Sequence, residues 1–212
     1  MMTRFFLVRH GETEWNRIHR IQGSSDIPLN DTGRRQAKQV GDILANHRFD
    51  LIVSSPLSRA METALIIAKR LGMPAPLPLS PLTERHYGEA EGKTGEELDR
   101  LFPGDAPVPG REERDDVQRR VVHALKDLAI RHPHADIIAV CHGGVIRSVV
   151  EYAAPGEYRE PITNCSIHSF RHSQRGLELV AFDDPMEVAS HTIADEEFAD
   201  QNPAESRQGA MR

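Results

Sequence analysis

Cysteine is scarce in this chain of 212 residues, where Cys141 and Cys165 are the only two. Two thiols cannot build the multi-bridge framework of a small secreted domain. Long apolar runs are missing as well: none approaches the roughly 18 residues that a membrane-spanning helix needs. The opening MMTRFFLVRH has too short an apolar stretch for a secretory leader, so the chain is expected in the cytoplasm, away from membranes. Nor is there a basic excess of the kind that nucleic-acid binding draws on, with 26 Lys and Arg against 32 Asp and Glu. The acids concentrate at one end, where residues 183–212 hold eight acids and two bases and carry the whole net charge of −6. Few large apolar residues and no steady period follow Phe182, which predicts an acidic C-terminal tail over 184–212 beside one domain over 1–183.

What is present alternates. Short β-branched or apolar runs at Phe5 to Arg9, Leu51 to Ser54, Pro76 to Leu79, Ile137 to Cys141, Ile167 to Phe170 and Leu177 to Phe182 read as strands. Between them, Thr32 to Asn46, Leu57 to Leu71, Thr94 to Leu101, Arg111 to His132 and Val145 to Ala153 have helical character. This order predicts βαβ units, an α/β fold with a mostly parallel sheet covered on both faces as a three-layer sandwich. In the second helix, Met61, Ala64, Leu65, Ala68 and Leu71 predict the buried stripe, and Ser55 as N-cap with Pro56 at the first helical position predicts its start. The dense Pro and Gly of Pro103 to Gly110 predict a loop.

Two strands end alike, FFLVRHGE near the start and IIAVCHGGV near the end. A parallel sheet delivers both ends to one edge, so His10 and His142 are expected to face each other there. Arg59, in the first turn of a helix after a strand, and Glu84, just past another strand, converge on the same edge. Any single histidine among eleven is more ordinarily a surface or core residue, and that is the reading for His19, His47, His86, His123, His132, His134, His168, His172 and His191. The combination of two strand-end His-Gly pairs with Arg9, Arg59 and Glu84 calls for chemistry.

On these residues the chain resembles the histidine phosphatase superfamily, the fold of cofactor-dependent phosphoglycerate mutase and its phosphatase relatives. The resemblance runs from about Thr3 to Phe182. It centres on Arg9-His10-Gly11-Glu12-Thr13, with Trp15-Asn16, Gln22-Gly23, Ser54 to Ala60, Glu84 and His142-Gly143 in support. It implies that His10 attacks phosphorus and forms a phosphohistidine, that Arg9, Arg59 and His142 hold the phosphoryl oxygens, and that Glu84 exchanges the proton of the leaving group and of water. It further implies substrate contacts from Asn16, Gly23, Arg85, Tyr87 and Gly143, with Arg9 and Arg59 serving there too. Neither a metal nor another cofactor is required, and the expected partner is a small phosphorylated metabolite.

Other readings stand beside this one. Glu89 and Glu91 compete with Glu84 as the acid. Cys141, five residues, Arg147 and Ser148 match the loop of cysteine-dependent phosphatases, although strand alternation turns Cys141 away from a site that His142 faces. Cys165 reads as a small buried residue. A non-catalytic phospholigand-binding module would usually have lost a reacting group, and a metal hydrolase lacks a convincing ligand set in His132/His134 or His168/His172.

Within the family, Glu84-Arg85-His86-Tyr87-Gly88 looks like the mutase pattern. Gln22-Gly23, Glu91-Gly92-Lys93-Thr94 and His142-Gly143-Gly144 look like the phosphatase branch. The segment from Tyr87 to Cys141 is short for the insertion that mutases carry, which favours a phosphatase. Arg111, in Pro109-Gly110-Arg111-Glu112-Glu113, either meets a second anionic group of the substrate or is a solvated helix-start residue.

Overall fold

The computed structural model describes residues 2–184 and 186, so the expected acidic tail lies almost wholly outside the described residues. In chain order the elements are β1 (Thr3–Arg9), α1 (Glu14–Arg17), α2 (Asp31–Leu44), β2 (Leu51–Ser54), α3 (Ser58–Leu71), β3 (Leu77–Pro78), α4 (Gly95–Leu101), α5 (Arg114–Arg131), β4 (Asp136–Cys141), α6 (Gly143–Ala153), β5 (Ile167–Ser173) and β6 (Gly176–Ala181). Two 3₁₀ turns, Ser80–Leu82 and Gly88–Ala90, fall between β3 and α4.

The six strands form one sheet in the order β3-β2-β4-β1-β5-β6. β1, β2, β3 and β4 run parallel, while β5 and β6 add antiparallel partners on the side of β1. β1 sits in the interior of the sheet, which is why Phe5, Phe6, Leu7 and Val8 form an unbroken apolar run rather than an alternating one. Their side chains still alternate. Phe5 and Leu7 join Ile137, Ala139 and Cys141 under α5 and α6, whereas Phe6 and Val8 join Ile52, Ile138 and Val140 under α2 and α3. The result is the three-layer α/β/α sandwich expected from the alternation of elements.

Local chemistry explains most boundaries. α1 begins with a reciprocal capping box between Thr13 and Asn16, and α4 with another between Thr94 and Glu97. Asn30 caps α2 by accepting from the Gly33 amide at 2.8 Å. α3 ends on Gly72 in the left-handed region, with φ of 65°.

Several expectations need correction. α3 starts at Ser58, two residues later than a Ser55 cap implies, and its N-cap residue Leu57 makes no side-chain capping bond. Ser55 instead accepts from the Leu57 amide and meets the ring of His142. The buried face of α3 is Arg59, Ala60, Thr63, Ala64, Ile67 and Ala68, while Leu65 is 47% exposed. The third strand is only two residues, since Pro76 and Leu79 lie outside it. α5 begins at Arg114 rather than Arg111, α6 at Gly143 rather than Val145, and the short α1 was not anticipated.

Candidate active site

The parallel pairing of β1 with β4 places Arg9 opposite Cys141, so the next residue of each strand, His10 and His142, emerges at the same edge. Their ring centroids are 5.2 Å apart. His10 is buried, and its Nδ1 lies 2.7 Å from the Gly11 carbonyl oxygen. A carbonyl only accepts, so Nδ1 carries the proton and Nε2 keeps its lone pair. That lone pair accepts from Arg59 Nε at 3.3 Å. Burial, then the charges of Arg59 and Arg9, hold His10 well below the ordinary histidine range, against an opposing pull from the Gly11 carbonyl. The ring is therefore neutral at physiological pH, which is the form with a nucleophilic nitrogen.

Arg59, in the first turn of α3, has no exposed surface. Its Nη1 donates to the Ser25 carbonyl and its Nη2 to the Gly23 carbonyl, both at 2.7 Å. Burial lowers its pKa to about 10, which leaves the guanidinium charged at neutral pH. Thr63, one turn on, donates to the Arg59 carbonyl and accepts from the Gly11 amide, tying the helix to the loop after His10. Arg9 donates to the Ile162 carbonyl, and its side chain runs beside Gly143 at the start of α6.

His142 is fully buried, and its Nε2 lies 2.8 Å from Ser55 Oγ. Its Nδ1 has no partner among the described residues. Ser55 Oγ accepts from the Leu57 amide and can give its own proton to His142 Nε2, the arrangement in which the ring proton sits on Nδ1. Burial, then Arg59, His10, Arg9 and Arg120, keep this ring well below the ordinary range as well.

Glu84 stands between the 3₁₀ turn Ser80–Leu82 and α6. One carboxylate oxygen accepts from the Arg85 amide at 2.8 Å, the other from the Gly144 amide at 3.2 Å. A Cβ at Gly144 would fall 2.7 Å from Glu84 Oε1, so the absence of a side chain there allows the carboxylate to sit against the helix start. Arg9, His10, Asn16, Arg20, Gln22, Gly23, Arg59, Glu84 and Gly143 together line one cleft. It is cationic, with Glu84 as the single acid on its wall.

Arg85 and Tyr87 flank Glu84, and a Cβ at Gly144 would meet Tyr87 Oη at 3.1 Å as well as the Glu84 carboxylate. Tyr87 is fully buried against Ile21, Ala90 and Leu98, and the guanidiniums of Arg85 and Arg111 each lie 5.6 Å from its ring centroid. Arg85 Nε donates to the Glu112 carbonyl. Of the rival acids, Glu89 is exposed, and Glu91 is committed to hydrogen bonds outside the cleft. The rival nucleophile Cys141 faces the α5 and α6 side of the sheet, where burial raises its thiol pKa far out of reach of neutral pH. Arg147 donates to the Tyr158 and Glu160 carbonyls. Cys165 is half-buried, with burial holding its thiol up at about 12. Among the described residues no group of three or more His, Cys, Asp or Glu side chains is arranged to hold a metal ion.

Sequence reasoning missed several contributors. Asn164 donates to the His10 carbonyl at 2.9 Å and reaches Asn16 Oδ1 at 3.4 Å. Asn16 Oδ1 also accepts from Thr13, so the amide NH₂ is the part of Asn16 left for a ligand. Gln22 presents a buried Oε1 with no partner among the described residues. Arg20 lines the cleft while donating to the Gly92 carbonyl and to Glu97. Gln22 was visible as half of the Gln-Gly pair; Asn164, in a loop without strand or helix pattern, gave no comparable signal.

Comparison with known proteins agrees with this geometry. The chain is 39% identical over 178 residues to phosphoglycerate mutase-like protein 4 of Arabidopsis thaliana, a match covering 78% of this chain and 77% of that protein. It is 34% identical over 179 residues to a metal-independent phosphoserine phosphatase of the same organism, covering 79% and 75% respectively. The solved structure of a mycobacterial glucosyl-3-phosphoglycerate phosphatase superposes with a TM-score of 0.77 at 25% identity, over 86% of this chain and 99% of that one. Residues 5–185 match the model of branch 1 of the histidine phosphatase superfamily, and with the two histidines meeting at the sheet edge as that fold requires, the chain belongs to this superfamily.

Proposed function

We propose that the protein is a metal-independent phosphatase that hydrolyses small phosphate monoesters through a phosphohistidine at His10. The observation that carries this reading is the fixed tautomer of His10, whose Nδ1 proton is tied to the Gly11 carbonyl while the Nε2 lone pair points at Arg59 in a cationic cleft. A phosphoryl group entering the cleft replaces that lone pair's weak contact with Arg59. Nε2 then bonds to phosphorus as the ester P–O bond breaks, and the protonated Glu84 gives its proton to the leaving oxygen. Water next attacks the phosphohistidine, its proton passes to Glu84, and inorganic phosphate departs with His10 restored. Arg9, Arg59, the Nδ1 proton of His142 and the amides at the start of α6 supply the positive field for the equatorial oxygens, which is the main demand of a loose transition state. Asn16, Gly23 and Gly143 contact the phosphoryl group or its ester oxygen.

Hydrolysis is favoured over transfer because the segment from Tyr87 to Cys141 is short for the insertion that mutases carry to enclose the substrate and hold its second anionic group. The names of the relatives support a phosphorylated metabolite as substrate. The two cysteines, both free, fit a reducing cytoplasm.

The test is phosphate release from a panel of monoesters in the presence of EDTA, with rapid quenching to trap acid-labile, alkali-stable phosphoprotein. His10→Ala is expected to abolish both turnover and label. Near-normal turnover of His10→Ala, or abolition by Cys141→Ser with the fold intact, overturns the reading. Isomerisation of 3-phosphoglycerate primed with 2,3-bisphosphoglycerate, if much faster than release of phosphate from any monoester, replaces the hydrolase by a mutase.

A further inference from the structure

Glu91 takes no part in the steps above, yet its carboxylate accepts from three backbone amides and two hydroxyls. One of its oxygens, Oε1, accepts from the Ser24 amide at 2.9 Å, the Ser24 hydroxyl at 3.0 Å and the Tyr87 amide at 3.2 Å. The other, Oε2, accepts from the Ser25 amide at 3.0 Å and the Ser25 hydroxyl at 2.7 Å. Burial works against its charge, but the bonds from Ser24, Ser25 and Tyr87 outweigh burial and hold Glu91 below the usual carboxylate range. The loop it grips is the one whose carbonyls, Gly23 and Ser25, receive the two terminal nitrogens of Arg59. Gly23 has a φ of 54°, and a Cβ there would lie 2.2 Å from Glu91 Oε1, so the turn and the carboxylate are fitted to one another. The next residue, Asp26, accepts from the Ser58 amide at the start of α3, which fixes the same loop to the helix that carries Arg59.

We propose that Glu91 is a positioning residue for Arg59, holding the Gly23 to Ser25 loop so that its two carbonyls aim the guanidinium at the phosphoryl group beside His10. Through the Tyr87 amide, the same carboxylate joins that loop to the chain segment just after Glu84, setting the acid and the cation at one spacing. The proposal rests on the reading that a phosphoryl group occupies the cleft. Its logic is mechanical: a fork bonded through both terminal nitrogens has one orientation, and that orientation is only as firm as the carbonyls receiving it.

The experiment compares the full chain with Glu91→Gln, Arg59→Ala and the double variant. The readouts are kcat and KM for an aryl and an alkyl phosphate, the dissociation constant of orthovanadate, and thermal unfolding. A misaimed guanidinium predicts a fall of about 10- to 100-fold in kcat for Glu91→Gln, equal for the two leaving groups, with orthovanadate binding weakened. The double variant is expected to be scarcely worse than Arg59→Ala alone, because the two residues act as one unit. Losses that multiply in the double variant overturn the proposal. So does a loss confined to the alkyl phosphate, which would make Glu91 the proton donor, and so does unchanged orthovanadate binding with unchanged kcat per folded molecule. If Glu91→Gln does not fold, the Ser24→Ala, Ser25→Ala pair removes two of the donors and carries the same expectations at smaller size. A wild-type chain that binds orthovanadate but hydrolyses no monoester defeats the hydrolase reading alone; the orthovanadate comparison across the variants still decides for or against Glu91.

Discussion

Glu84 illustrates how much of a residue's function is set by what its neighbours donate. Two backbone amides, Arg85 and Gly144, orient its carboxylate from below and from the side. Both donors are backbone groups, so they hold the carboxyl in one place while the charge of Arg59 lies close enough to interact with it. Glu84→Gln keeps the shape and removes the capacity to exchange a proton. Turnover of an alkyl phosphate should fall by roughly 10²- to 10⁴-fold, the usual worth of general acid catalysis, and formation of the phosphoenzyme from an activated aryl phosphate by much less. Equal losses on both substrates, measured in single-turnover experiments, would show a positional role instead. Arg9, His10, Arg59 and His142 were legible in the sequence because strand ends and a helix start place them by simple geometry, whereas Glu84 follows the short β3 by six residues and a 3₁₀ turn and was legible from its motif, not from a strand end. Asn164 was not legible, since a loop residue that bonds to another residue's backbone leaves no periodic trace, and Ser55 was legible within its motif but not as the partner of the His142 ring. Arg85 and Tyr87 were legible as a motif, but a motif does not record which way side chains turn, and here they pair with each other and with Arg111.

At the scale of elements, α3 shows why periodicity identifies a helix more securely than it identifies the buried face. The apolar positions of this segment allow two phases that differ by a rotation about the axis. Arg59 must face His10, and Thr63 must reach the Gly11 amide, so these two polar residues lie on the buried side and select the phase. Ala60, Ala64 and Ile67 follow them inward, and Leu65 is carried out to solvent. Leu65→Ala is therefore expected to change unfolding free energy by less than about 1 kcal/mol, as surface substitutions commonly do. Ile67→Ala should cost about 2–5 kcal/mol, the range for truncating a buried aliphatic side chain. Urea unfolding of the two variants settles it, and comparable losses would return the helix to the phase read from the sequence. The start of α3 was misplaced for a related reason: Ser55 has the composition of a cap but is occupied with His142.

For the molecule as a whole, three buried histidines are folded in a form that acid opposes. Burial chiefly, with nearby arginines, lowers His10 and His142 well below 6.5, and burial lowers His168 to about 4. Above pH 6.5 both the folded and unfolded chains hold these rings neutral, and the stability associated with them is complete. As pH falls below 6.5 the unfolded chain takes up protons that the folded chain refuses, so stability declines, and for His168 the decline ends near pH 4. Each ring contributes a slope of up to about 1.4 kcal/mol per pH unit in that window. Urea midpoints at pH 7.5, 6.0 and 5.0 should fall in order, and a flat series would show that the rings titrate alike in both states.

The interior position of β1 has a consequence for how the chain comes into being. A ribosome makes Phe5 to Val8 well before the strands on either side of them, which are β4, from Asp136, and β5, from Ile167. At about 5–20 residues per second, the N-terminal strand waits roughly 6 to 30 seconds for its first neighbour. Throughout that interval the emerging polypeptide carries an apolar segment without its sheet neighbours, two residues ahead of His10. The segment in need of shelter during synthesis thus leads straight into the cleft, and no fragment lacking β4 brings a second histidine beside His10.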